Sequence, residues 1–76
     1  MKYTLYVGEN CTQCANVINY LVENNISYKT INVDLDSEKP PISIYAYPAL
    51  FEGQNLLRYG TDIISYLKDI YQLGNN

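Results

Sequence analysis

The chain has 76 residues, which is enough for one small domain spanning residues 1–76. Apolar residues make up 47% and charged residues 17%, a balance typical of a globular chain rather than a disordered one. The net charge of −3 argues against nucleic-acid binding, which needs a basic face. The chain contains no histidine, which excludes histidine acid–base catalysis and mixed Cys/His zinc sites.

The N-terminal segment does not resemble an export signal. Lys2 is followed by a short, mostly apolar run that ends at Gly8, whereas a signal peptide needs about 7–15 apolar residues and a small-residue cleavage site. No run approaches the roughly 18 apolar residues of a membrane span. We therefore expect a cytoplasmic protein that does not associate with a membrane.

The first half of the chain predicts a strand, a helix and a second strand. Residues 2–7 are rich in β-branched and aromatic residues, as buried strands are. From Thr12 apolar residues recur at spacings of three and four, which predicts a helix ending at Asn24–Asn25. Residues 26–33 then alternate as a strand does. A helix between two parallel strands makes a right-handed crossover.

The second half predicts shorter elements. Residues 34–47 leave room for one or two helical turns, capped by Asp34, Asp36 or Ser37 and with Pro40–Pro41 near the start. The remaining predicted elements are a strand at 49–51, a turn at 52–55, a strand at 56–59 and a helix from Gly60 or Thr61 to Gly74, with Asn75 and Asn76 frayed. The order predicts an α/β fold: one four-stranded mixed sheet covered by helices, with a shortened second helix.

Two cysteines, Cys11 and Cys14, lie between the first strand and the first helix. At this spacing they are about one helical turn apart, within reach of a disulfide. A helix N-terminus offers free amide donors and a partial positive charge, which favour the thiolate of Cys11. We expect Cys11 to be the exposed nucleophile and Cys14, more buried, to resolve the mixed disulfide.

Three other interpretations of the pair remain open. A purely structural disulfide would close a loop of four residues and contribute only about 2 kcal/mol in the chain-entropy model. A zinc site lacks ligands within one chain and would need a dimer. In the third interpretation, the two cysteines are simply buried and inert.

The arrangement of these features resembles the glutaredoxin branch of the thioredoxin superfamily over almost the whole chain. The Cys-x-x-Cys motif follows a strand, Pro48 precedes a hydrophobic strand 34 residues beyond Cys14, and Gly-Thr-Asp opens the final helix. The resemblance implies a thioredoxin/glutaredoxin-like fold in which Pro48 is cis and faces the cysteines. It also implies that the backbone of Tyr47 pairs with the bound thiol substrate. If the resemblance is set aside, Pro48 is interpreted as an edge-strand or turn proline, since only about 5–6% of X-Pro bonds are cis.

Two subfamilies compete within that branch. Two motifs resemble those of redoxins of NrdH type: Cys11-Thr12-Gln13-Cys14 and Ile31-Asn32-Val33-Asp34. Redoxins of that type give electrons to ribonucleotide reductase and are themselves reduced by thioredoxin reductase. Their Trp-Ser-Gly-Phe-Arg-Pro signature is absent. Dithiol glutaredoxins usually carry Pro and Tyr between the cysteines, and a basic residue three positions earlier holds a glutathione carboxylate. Gly8 occupies that position here, and the adjacent Glu9 would repel the carboxylate.

Thr61 and Asp62 favour the glutathione alternative. They lie at the glutaredoxin distance from Pro48, where the resemblance implies a grip on the γ-glutamyl end of glutathione. Their other interpretation is a cap for the last helix. Lys39 or Arg58 can supply the missing positive charge from elsewhere.

These observations predict a dithiol–disulfide oxidoreductase that reduces protein disulfides and needs no metal or organic cofactor. The predicted catalytic residues are Cys11 and Cys14, and the predicted substrate-binding residues are Thr12, Gln13, Tyr47, Pro48, Thr61 and Asp62. The reductant is thioredoxin reductase or, as a co-substrate, glutathione, and we expect a monomer. The alternatives are a glutathione-dependent glutaredoxin and a non-catalytic binding module in which the cysteines act as a redox-sensitive latch.

Overall fold

The computed structural model of the protein describes residues 2–71. Its elements, in chain order, are β1 (Tyr3–Val7), α1 (Thr12–Glu23), β2 (Tyr28–Asn32), β3 (Ala49–Glu52), β4 (Asn55–Tyr59) and α2 (Asp62–Tyr71). All four predicted strands and both longer helices are present. The predicted end of the last helix at Gly74, and the fraying of Asn75 and Asn76, lie outside the described residues.

The four strands form one mixed sheet in the order β2-β1-β3-β4. β1 pairs in parallel with β2 and antiparallel with β3, and β3 pairs antiparallel with β4. β1 therefore lies inside the sheet, which agrees with its almost continuous burial and its apolar and aromatic residues. The mixed sheet predicted from the sequence is confirmed, as is the helical connection between its two parallel strands.

The two faces of the sheet are covered differently. On one face, Leu5 of β1 packs with buried residues of both helices, including Leu21 of α1 and Leu67 of α2. On the other face, a smaller cluster contains Tyr6 and Phe51, whose rings meet edge to face with centroids 5.1 Å apart. No helix of the described residues covers this second face. Its cover comes from partly buried side chains: Val33, Ile44, Leu56 and Tyr59.

The short helix predicted between the second and third strands is absent, so that expectation is wrong. Residues 33–48 consist of turns, bends and irregular backbone, with neither helix nor strand. Pro40 and Pro41 lack amide donors, and a residue that precedes proline avoids the helical conformation. Asp36, expected as a cap, instead accepts a hydrogen bond from the backbone amide of Asn32 (2.9 Å). The amide of Asp36 donates to the carbonyl of Asn32 (2.7 Å), which closes a turn directly after β2.

The first helix ends as its two asparagines predict. Asn24 is the C-cap, and Asn25 adopts a left-handed conformation with φ of 56°. The amide of Asn25 donates to the carbonyl of Val22, and the amide of Ile26 donates to that of Leu21. This is the Schellman arrangement, which satisfies the last carbonyls of the helix and turns the chain into β2.

Alkaline pH should destabilise the fold through Tyr3. The side chain is buried, its hydroxyl lies 2.9 Å from that of Tyr71, and burial followed by this contact raises the pKa of Tyr3. The unfolded chain therefore loses this proton at a lower pH than the folded chain. The stabilising contribution is complete below about pH 10 and declines as the pH rises above it.

Urea unfolding at about pH 8 and about pH 10.5 measures this decline. In Tyr3→Phe the free energy of unfolding should fall less between these two pH values. At pH 8 it should be lower than in wild type by about 0.5–1.5 kcal/mol, because the hydrogen bond is lost. Tyr45→Phe, at an exposed position, is the matched control and should behave as wild type. An alkaline decline that is equally steep in Tyr3→Phe would contradict the assignment.

Candidate active site

The topology brings the predicted site residues to one edge of the sheet. β1, β2 and β4 run in the same direction and β3 runs opposite to them. The loop after β1 with Cys11, the residues before β3 with Pro48 and the turn after β4 with Thr61 therefore meet at one edge. Segments that are far apart in sequence converge here for this reason.

Cys11 is the N-cap of α1, as the sequence predicts. Its backbone is extended (φ −113°, ψ 101°), and its Sγ accepts a hydrogen bond from the amide of Cys14 at 3.1 Å. The carbonyl of Cys11 accepts the first helical bond, from Ala15 at 3.2 Å. One of the free amides of the helix start is thus directed at sulfur, an arrangement that stabilises a thiolate.

Cys14 lies one turn into α1 and is disulfide-bonded to Cys11, with 5.2 Å between the two Cα atoms. Cys14 is 4% exposed and packs in the core between the helices and the sheet, whereas Cys11 is half-buried at the surface. The more accessible sulfur is therefore that of Cys11. This asymmetry fits an attacking cysteine and a resolving cysteine.

Gln13 connects the cysteine motif to the turn that opens α2. A Cβ placed on Gly60 would lie only 2.6 Å from Oε1 of Gln13, so this side chain covers the glycine. The amide of Gly60 donates to the carbonyl of Pro48 at 2.7 Å. A chain of contacts thus links Gln13 in the first turn of α1 to Gly60 after β4, and Gly60 to Pro48 before β3. Thr12, the other residue between the cysteines, is exposed.

Tyr47 and Pro48 lie beside the cysteine loop. The peptide bond between them is cis, the geometry that the family resemblance implies. Pro48 is buried, and Tyr47 is 38% exposed. A Cβ on Gly8 would be 3.6 Å from the ring of Tyr47, so the loop that leads to Cys11 passes against this tyrosine.

Thr61 and Asp62 are both exposed at the start of α2. Asp62 lies in the first turn, where a carboxylate is favoured by the helix dipole. The carbonyl of Thr61 accepts a bond from Ile64. Over residues 2–71 neither side chain forms a hydrogen bond, so their polar groups are directed to solvent at the same edge as the cysteines.

An acidic cluster, made of Glu9, Asp34 and Asp36 around Asn32, adjoins the cysteine loop. Asp34 accepts a bond from the amide of Glu9 at 2.8 Å, and the amide of Asn32 donates to Asp36. The side chain of Asn32 donates to Glu9 at 2.9 Å. No group of side chains in the described part of the chain is arranged to hold a metal ion. The sequence predicts Asp34 and Asp36 as helix caps and gives no signal for this cluster, which depends on the pairing of β1 with β2.

The two cations considered for a glutathione carboxylate lie in different environments. The guanidinium of Arg58 lies 4.7 Å from the centroid of the Tyr66 ring, and Nη1 of Arg58 donates to the carbonyl of Leu57. Arg58 is therefore held against α2. Lys39 instead lines an open groove together with Tyr47.

Comparison with known proteins agrees with this geometry. A thioredoxin-like fold with a redox disulfide at the start of its first helix defines a thiol–disulfide oxidoreductase class. The glutaredoxin family model matches residues 3–42, more than half of the chain, and the chain therefore belongs to the glutaredoxin family. The crystal structure of the thioredoxin-like protein BC3987 is similar in fold, with a TM-score of 0.64 and 18% identity over 87% of this chain and 99% of that one. No curated protein sequence matches the chain.

Among the helices of residues 2–71, none has the length and apolar character needed to cross a bilayer.

The two cysteines should differ in their roles. Cys14→Ser should accumulate a mixed disulfide between Cys11 and its substrate, because the resolving thiol is gone. Cys11→Ser should show no turnover, since the half-buried attacking sulfur is removed and the remaining thiol is buried. Mass spectrometry after acid quenching detects the adduct. Faster alkylation of Cys14 than of Cys11 in the reduced protein would reverse the assignment.

The contact between Gln13 and Gly60 gives a second prediction. Gly60 and Gly53 both have positive φ (58° and 62°), so alanine at either position should lower the free energy of unfolding by roughly 1–2 kcal/mol. Gly53 has no neighbour within 4 Å of its added Cβ, whereas Gly60→Ala must also displace the flexible end of Gln13.

The rate of disulfide exchange should therefore change in Gly60→Ala and not in Gly53→Ala, although both lose similar stability. Stopped-flow measurement of substrate reduction checks this difference. In a Gln13→Ala background, adding Gly60→Ala should no longer alter the rate. Equal exchange rates in Gly60→Ala and Gly53→Ala would show that the Gln13 contact has no part in the reaction.

Proposed function

We propose that this chain reduces disulfides in target proteins by dithiol exchange. The observation that carries the proposal is the disulfide between a cap cysteine, Cys11, whose sulfur receives an amide bond, and the buried Cys14. Membership of the glutaredoxin family supports the same chemistry. The pair carries both electrons, so the proposal requires no metal or organic cofactor.

The reaction proceeds in two exchanges. In the reduced protein the thiolate of Cys11 attacks one sulfur of the target disulfide; a new sulfur–sulfur bond forms and the other target sulfur leaves as a thiolate. Cys14 then loses its proton to water and attacks Sγ of Cys11, which releases the second target sulfur. The target gains two electrons, and the Cys11–Cys14 disulfide is restored. No histidine is present to take the proton.

Thioredoxin reductase is the reductant that the site favours over glutathione. A glutathione site needs a positive group for the glycine carboxylate, and the acidic cluster places Glu9 and Asp34 next to Gly8 instead. Arg58 is held against Tyr66. Thr61 and Asp62 instead favour glutathione, because their exposed polar side chains are free to bind its γ-glutamyl end.

We place the protein in the cytoplasm, with ribonucleotide reductase as a candidate target.

The choice of reductant can be measured directly. The oxidised protein is offered either glutathione with glutathione reductase or thioredoxin reductase, each with NADPH. A missing charge-assisted contact is worth about 1.5–3 kcal/mol, so glutathione should be roughly ten- to hundredfold less efficient than in a glutaredoxin that has the basic residue. Gly8→Lys should raise the efficiency of reduction by glutathione, because the lysine supplies the missing positive charge.

Two outcomes would contradict the proposal. Efficient turnover with glutathione that is lost in Asp62→Ala would identify a glutathione-dependent glutaredoxin. Failure to reduce any disulfide, with either reductant, would favour a binding module in which the cysteines are a redox-sensitive latch.

A further inference from the structure

A group of exposed apolar side chains lies in the irregular segment before β3. Seven large hydrophobic residues are exposed among residues 2–71, and four of these belong to this segment: Leu35, Ile42, Tyr45 and Tyr47. Residues 39–44 and Tyr47 line an open groove with a volume of about 450 Å³, called here the 39–47 groove. Such a concentration of apolar surface on a small soluble chain is typical of an interaction site.

The groove is held in shape although its segment contains neither helix nor strand. Ile44 packs inward against the core cluster of Tyr6 and Phe51. The amide of Tyr45 donates to the hydroxyl of Tyr59 on β4 at 3.2 Å. These contacts fix the backbone and leave the side chain of Tyr45 91% exposed. A binding partner would therefore meet a surface that is already ordered, which reduces the entropy lost on binding.

The groove opens beside the redox pair. Tyr47 is one of its walls, and the same residue precedes Pro48 and lies against Gly8 in the loop that leads to Cys11. A polypeptide whose disulfide reaches Cys11 can therefore place a neighbouring side chain in the groove.

The charges around this end of the molecule are mainly negative. None of the three carboxylates of the acidic cluster forms a salt bridge within the described residues. Glu38, farther along the segment, is paired with Lys29 at 3.7 Å, which leaves Lys39 as the cation at the groove wall. Three carboxylates against one lysine favour a partner that carries positive charge next to its cysteine.

We propose that the 39–47 groove and the acidic cluster together select the target: an extended protein segment with a large apolar side chain for the groove and a Lys or Arg for the cluster, both close to the disulfide that Cys11 attacks. The inference rests on the proposed function and specifies its substrate class. The chemistry is the exchange described above, and the groove adds only the positioning of the target.

Four synthetic peptides test the proposal, each with one intramolecular disulfide whose flanking residues are Leu and Arg, Leu and Glu, Ser and Arg, or Ser and Glu. The reduced protein is mixed with each peptide, and the rate of oxidation is followed by acid quenching and mass spectrometry. A small organic disulfide without peptide serves as the reference substrate. The Leu–Arg peptide should react fastest, and its rate should fall between about 20 and 200 mM salt because screening weakens the charge contact.

Substitutions separate the groove from the cluster. Ile42→Ser changes a residue that lines the groove and should slow the Leu–Arg and Leu–Glu peptides by about fivefold or more, the loss expected for a side chain that matters at an interface. Asp34→Asn and Asp36→Asn keep an oxygen to accept the backbone bonds and should slow only the Arg peptides, with a flatter salt dependence. The matched controls are Val22→Ser and Asp69→Asn, both exposed on the helices away from this edge. The small disulfide should react equally with every variant.

Each contrary result is distinct. Equal rates for all four peptides, or a preference for the Glu peptides, would overturn the proposal while leaving the reductase function intact. If the wild-type protein does not reduce the small disulfide, both this proposal and the proposed reductase function are overturned. A dimer in sedimentation velocity that Ile42→Ser dissociates would show that a second copy of this chain covers the groove, and would overturn the proposal as well.

Discussion

The hydrogen bond from the amide of Cys14 to Sγ of Cys11 is the interaction on which the rest of the site depends. It satisfies a helix amide that would otherwise lack a partner, and it does so with the sulfur that we propose as the nucleophile. Polar side chains such as Ser or Asp usually fill this position in helices. The use of cysteine as the cap therefore makes the start of α1 and the Sγ of Cys11 a single feature, so that the cap geometry of the helix also orients this sulfur.

The sheet places this feature where other loops can serve it. Because β1 and β4 are parallel and β3 is antiparallel to both, the edge that carries Cys11 also carries Pro48 and Gly60. Both helices pack on one face, so the burial of Cys14 and the stability of the core are provided by the same side chains. The opposite face has a thinner cover, to which residues 33–48 contribute chiefly Val33 and Ile44. Stability is thus concentrated on the helical side, and the other side retains apolar surface.

The sequence predicts features that are set by local patterns. Hydrophobic spacing gives the two helices and the strands, and Asn24–Asn25 gives the end of the first helix, because each depends on neighbours within a few residues. The predicted short helix is absent, because Pro40–Pro41, interpreted as part of a helix start, includes a residue that itself precedes proline and so avoids the helical conformation. The acidic cluster and the contact between Gln13 and Gly60 had no local signal. Glu9 reaches Asn32 and Asp34 only through the pairing of β1 with β2, and Gln13 meets Gly60 across 47 positions of the chain only in the folded structure.

Most residues of the segment 33–48 are exposed, which bears on how the chain tolerates substitution. Val33 and Ile44 contribute to the core, while Leu35 and residues 37–39 and 41–43 are exposed and belong to no regular element. Substitutions there alter the surface with little effect on folding, because exposed positions usually change stability by less than about 0.5 kcal/mol. Variation in this one loop can therefore reshape the surface beside the cysteine pair, while the pair and its supporting helix remain as they are.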